Sequence, residues 1–124
     1  MPWEFEYLQE SQVLSVRVTG TVDIASWENQ LRTSVEEAAK HSCLRYLVDY
    51  RKSNMALTVA DLYDRPKYYS KVGVPHHARI ALLITHPGRE KDFVESVTSN
   101  RGFLVRVFDA PEPALTWLTG GDKA

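Results

Sequence analysis

The residues best equipped for chemistry lie in one short stretch, Asp49-Tyr50-Arg51-Lys52-Ser53-Asn54, with Thr58 a few positions on. Arg51 and Lys52 are cations, and Ser53, Asn54 and Thr58 carry hydrogen-bonding groups. Together they can hold an anion, the more so if a helix starts just after them, because its first N–H groups are unpaired and partly positive. The stretch lacks a glycine-rich phosphate cradle, and its competing reading is a solvated loop in which Asp49 pairs with an arginine. Trp27, Tyr63, Tyr68 and Tyr69 form an aromatic set that either lines an apolar cleft or fills the core. His86 is the best-placed proton carrier and, with Asp49, is the nucleus of an alternative reading as a small enzyme. No serine or cysteine nucleophile is tied to it.

Other reactive side chains read more simply. His76 and His77 are adjacent, so in extended chain they point apart and do not share a metal. No second cluster of His, Cys or Asp has ligand spacing, and the sequence calls for no metal and no cofactor. Cys43 is the single cysteine; no internal disulfide can form, and it reads as a small buried residue. Glu36-Glu37 and Glu90-Lys91-Asp92 read as solvated helix surface. The candidate ligand-binding residues are therefore Arg51, Lys52, Ser53, Asn54, Thr58, Tyr63, Tyr68, Tyr69 and His86, with no catalytic set.

These residues need elements to hold them. Trp3, Phe5 and Tyr7 alternate with Glu4 and Glu6, and Leu14, Val16 and Val18 alternate with Ser15 and Arg17. Period two predicts two strands with one wet face each, joined as a hairpin; Gly20 closes the second. Ile24, Trp27, Leu31, Val35 and Ala38 recur at helical spacing, with Asp23 as N-cap. Leu44 to Tyr50 is a third strand. Thr58 to about Val72 is helical but interrupted by Pro66, which predicts a kink or two short helices meeting near Arg65. Arg79 to Thr85 is a fourth strand. A helix opened by Pro87 follows, carrying Phe93, Val94 and Val97 inward and ending at Asn100-Arg101-Gly102. Phe103 to Phe108 is a fifth strand, and Asp109 with Glu112 has the spacing of a capping box for a last helix. The order is ββαβαβαβα in one domain over residues 1–119, with 120–124 as a frayed tail.

The fold class expected is α/β: a five-stranded mixed sheet, first strand antiparallel, the rest parallel through right-handed crossovers, and helices mainly on one face. The opposite face holds Leu47, Ala81, Leu83, Leu104 and Phe108, too apolar for water. A partner or a stray helix should cover it, and a homodimer is one expected solution.

Composition narrows the partners. The 124 residues carry 15 basic and 16 acidic side chains, a net charge of -1. Nucleic acid is an unsuitable partner for a surface with no basic excess. The start of the chain has no basic or apolar leader segment, and the longest apolar run, Ile80 to Ile84, is too short to cross a bilayer. A cytoplasmic protein without integral membrane association is expected.

With this order, the chain resembles the SpoIIAA-like, or STAS, family, and most of all its uncharacterised bacterial branch. The resemblance is carried by Leu44–Arg51, Arg79–Leu83, Asn100–Phe108 and Ala114–Leu118, which are strand and cap signatures. It implies a non-enzymatic binding module, with regulation as one role, for a protein partner or a small anionic or amphipathic ligand, lipid-like or nucleotide-like. In the family's anti-sigma-factor antagonists an Asp-Ser-Ser-Gly stretch opens the second helix, and its serine is phosphorylated. Here that stretch reads Ala56-Leu57-Thr58-Val59-Ala60. The motif is absent, and Thr58 is the nearest hydroxyl.

Overall fold

In the computed structural model, which describes residues 3–85 and 88–120, the elements follow the expected order. They are β1 (Trp3–Leu8), β2 (Val13–Val22), α1 (Ile24–Lys40), β3 (Arg45–Met55), α2 (Val59–Tyr63), α3 (Arg65–Val72), β4 (Arg79–Leu83), α4 (Gly88–Ser99), β5 (Leu104–Phe108) and α5 (Pro111–Leu118). The sheet order is β1-β2-β3-β4-β5; β1 and β2 are antiparallel and each later pair is parallel. His86, Pro87 and the tail beyond Gly120 lie outside the described residues, as does the side chain of Phe93.

Period-two patterning places the core as expected. Trp3, Val16, Val48, Leu82 and Val105 all enter one buried cluster, together with Trp27 and Leu31 of α1, Tyr69 of α3 and Val94 of α4, and Phe5 packs against it. Asp23 caps α1: its carboxylate accepts the Ser26 N–H, and the Ser26 hydroxyl accepts the Asp23 N–H. The Pro66 interruption resolves into α2 and α3 meeting at Asp64. Pro66 sits in the first turn of α3, where its missing N–H costs no hydrogen bond.

Three expectations are corrected. Gly20 does not end β2: it takes φ +77° inside the strand, a left-handed value open to glycine at little cost. β2 continues to Val22. In consequence residues 51–54 are not a loop; they are the far half of β3, with Thr19 opposite Lys52 and Thr21 opposite Asn54. The register shift between Arg17 and Thr19 lets the pair run on. Among the described residues β1 pairs no further than Val18 and β4 no further than Asp49, so these halves run on as a two-stranded ribbon. The third correction concerns α5, whose N-cap is Ala110, with no side-chain cap. Pro111 is suited to the first helical position by its fixed φ. It moves the start one residue past Asp109, so Asp109 and Glu112 lose the capping-box spacing.

The second sheet face is covered by the chain itself. Ala114, Trp117 and Leu118 of α5 are buried with Val13, Leu47, Ala81 and Leu83. The surface on which a second copy was expected is largely occupied by this helix, which among the described residues is the one that packs on that side. Leu104 remains 46% exposed.

Candidate functional site

The polar residues at the end of β3 are held by one another. The Asp49 carboxylate accepts the Arg51 backbone N–H at 3.0 Å and Nε at 2.9 Å on Oδ1, and Nη2 at 2.8 Å on Oδ2. Burial pushes its pKa up, but the hydrogen bonds and charge of Arg51, with the charge of Lys52, outweigh this and hold it below the ordinary value. Asp49 is therefore an ionised carboxylate with both oxygens engaged, ill suited to accept a proton. The clamp is an exposed one: Arg51 is not buried. Ser53 donates its hydroxyl to the Tyr50 carbonyl at 2.7 Å. Arg51 and Lys52 line an open pocket of about 380 Å³ with Glu4, Arg17 and Asp49, toward the face that carries α5.

Thr58 is placed by α2, which it caps. The Thr58 hydroxyl accepts the Asp61 N–H at 3.1 Å, and the Asp61 carboxylate accepts the Thr58 N–H at 2.9 Å. This reciprocal pair satisfies two donors that a helix start leaves free.

The tyrosines divide. Tyr69 is 1% exposed and belongs to the core. Tyr68 is half-buried, edge-on to Trp27 with ring centroids 5.4 Å apart. Tyr63 is 59% exposed and borders a groove of about 330 Å³ with Asp64, Pro66, Lys67, Ser70 and Arg101. Beneath, Arg65 is 3% exposed. Its Nε donates to the Tyr69 hydroxyl at 2.7 Å, and its Cζ stands 4.9 Å from the Trp27 ring centroid. Aromatic faces attract a cation through their quadrupole, so this stack secures α3 to α1 without an ion pair among the described residues. Tyr50, also fully buried, donates its hydroxyl to Gln30 Oε1 at 2.9 Å, and Gln30 Nε2 donates to Ser34.

The structure thus brings Tyr63 and Lys67 together in one groove and places Arg51 and Lys52 in another, with Tyr69 between them in the core. Two contributors escaped sequence reasoning. Arg101 reads in the sequence only as part of a helix stop, and nothing local marks Arg65 as buried, since arginine is seldom so. At the other end of the sheet His76 is structural in placement: it stacks on Phe103 at 4.3 Å, with Nδ1 3.1 Å from the Gly102 carbonyl, while His77 is exposed.

Two solved structures share this architecture. One is an uncharacterised protein of the DUF3478 family with a SpoIIAA-like fold, from Shewanella loihica PV-4. It has a TM-score of 0.58 and 20% identity, over 94% of this chain and 91% of that one. The other is the anti-sigma factor antagonist SpoIIAA in its unphosphorylated form, with a TM-score of 0.53 and 16% identity, over 95% and 98% of the two chains. The fold of this chain is SpoIIAA-like. Coverage of nine-tenths or more on both sides makes the likeness one of whole domains. Neither a protein-family model nor a curated protein matches the sequence.

Proposed function

We propose that this SpoIIAA-like domain is a non-enzymatic regulatory module of the cytoplasm, and that a protein partner docks on its α2–α3 surface. The observation that carries this reading is Tyr63. It is an exposed aromatic side chain at the rim of a groove that also presents Lys67 and Arg101. Aromatic anchors beside cations are over-represented where proteins bind one another. The cations favour a partner segment with an acidic side chain beside an apolar one. The likeness to an anti-sigma factor antagonist supports a protein-binding role. The small-enzyme reading gains no support: Asp49 is engaged by Arg51, and His86 lies outside the described residues.

Binding of a small anionic or amphipathic ligand is the second reading. It rests on the pocket that holds Arg17, Arg51 and Lys52. A photo-crosslinking side chain at position 63 should capture a protein that the same group at Glu36, on the exposed surface of α1, does not. The captured protein should bind the purified domain and lose affinity on Tyr63→Ser. Native mass spectrometry of the purified protein decides between the readings. A stoichiometric small molecule that Lys52→Ala removes, with no site-dependent crosslink, favours the second.

A further inference from the structure

We infer that Glu95 is an edge guard: by accepting the Val107 N–H it keeps the outer side of β5 shut against strand pairing with a second copy of this chain. The inference does not rest on docking at α2–α3.

Among the described residues no strand lies beyond β5 in the sheet. The Ile84 N–H donates to the Phe108 carbonyl, which turns the Phe108 peptide toward β4. Peptide groups alternate in direction along a strand, so those of Phe103, Val105 and Val107 turn outward. Such an edge is a template for another chain. The segment itself invites self-pairing. Phe103-Leu104-Val105-Arg106-Val107-Phe108 is aromatic and β-branched, with one charge and neither Gly nor Pro, the makeup of strands that stack on their own copies. It is also within reach, since an open groove of about 580 Å³ runs beside it. Leu104, Val105 and Arg106 line that groove on the strand, and Asp92, Glu95 and Ser99 line it on α4.

The edge is nevertheless closed. The Phe103 N–H donates to the Thr98 carbonyl at 2.9 Å, a bond to the last turn of α4, whose carbonyls lack partners within the helix. Val105 is 5% exposed. The closure at Val107 is of another kind, because a side chain makes it: the Val107 N–H donates to Glu95 Oε2 at 2.8 Å. Lys91, one turn back on α4, holds the same carboxylate, with Nζ 3.3 and 3.2 Å from its two oxygens. A hydrogen bond to an ionised carboxylate is stronger than one to a neutral carbonyl, so the carbonyl of an incoming strand does not displace it. That carbonyl would also meet the carboxylate, acceptor against acceptor. A charge turned inward at an edge strand blocks pairing in this way.

The test compares Glu95→Ala and Glu95→Met, which remove the carboxylate, with Glu95→Gln, which keeps an oxygen to accept the Val107 N–H. In dilute solution, Glu95→Ala should speed amide exchange at Val107 about tenfold or more and leave Phe103 nearly unchanged. At higher concentration it should associate, by light scattering, where the wild-type chain stays monomeric, with intermolecular NMR contacts at Val105 to Val107. Glu95→Met, which keeps the aliphatic stem packed, should behave in the same way, and Glu95→Gln should stay close to wild type. Unchanged exchange at Val107 overturns the inference. So does a carboxylate-free variant as monomeric as wild type, association centred elsewhere, or equal effects of Gln and Ala. Loss of the fold in both Glu95→Ala and Glu95→Met overturns it as well, since Glu95 is then a structural strut.

Discussion

Tyr50 stands at the head of a buried polar chain that runs through Gln30 to Ser34. Burial raises its pKa to about 12, and burial likewise raises that of Tyr46 to about 12. An unfolded tyrosine ionises near pH 10, so the folded state holds these protons longer than the unfolded chain. Their contribution is complete below about pH 10 and is lost as the pH climbs toward 12. Urea unfolding at stepped alkaline pH should show stability falling across that window. Tyr50→Phe should cost about 1 kcal/mol at neutral pH for the lost hydrogen bond. It should also flatten the alkaline decline, leaving the share due to Tyr46. An unchanged slope would place the alkaline transition elsewhere. The Arg51 clamp behaves differently because solvent screens it. Arg51→Ala should change stability by about 1 kcal/mol or less. A thermal melt showing several times that loss would make the pair a structural strut.

At the scale of elements, α5 is the most consequential helix for its length. Trp117 and Leu118 shield Leu47 and Leu83 from water. Trp117→Ala should destabilise the fold by about 3–5 kcal/mol, as aromatic truncations in cores do, read by urea unfolding, and should raise the binding of a hydrophobic dye. Thr58→Ala acts locally. It should cost about 1 kcal/mol of α2 stability, seen as faster amide exchange at Val59 to Tyr63 with the global melt nearly unchanged. Much of this architecture is legible in the sequence, because alternation in Trp3–Tyr7 and helical spacing in Ile24–Ala38 are local signals. The paired extension of β2 and β3 is not legible locally. Arg51 to Asn54 are polar and look like loop, and what keeps them extended is Thr19 to Val22 on a strand far away in sequence. The division of the candidate site follows from the same cause. Proximity along the chain joins Arg51 to Tyr69, while strand direction carries Arg51 toward the α5 side and α2 carries Tyr63 to a groove beside Arg101. Proline at the first turn of α5 outweighs the Asp109 capping signal, since backbone geometry precedes side-chain capping.

For the molecule as a whole, α5 changes the expected state of association. The apolar face that argued for a homodimer is largely occupied by a helix of the same chain. The protein should be a monomer by light scattering across a wide concentration range. A chain lacking residues 111–118 should associate or precipitate, because it bares Leu47, Ala81 and Leu83 together. A stable dimer of the intact chain would require an interface elsewhere than on this face. The arrangement also bears on folding. Among the described residues α5 is the last element, and the five strands can pair before it docks. Until it docks, one side of the sheet stands naked. That brief interval, more than any property of the finished fold, is when a chaperone would have something to hold.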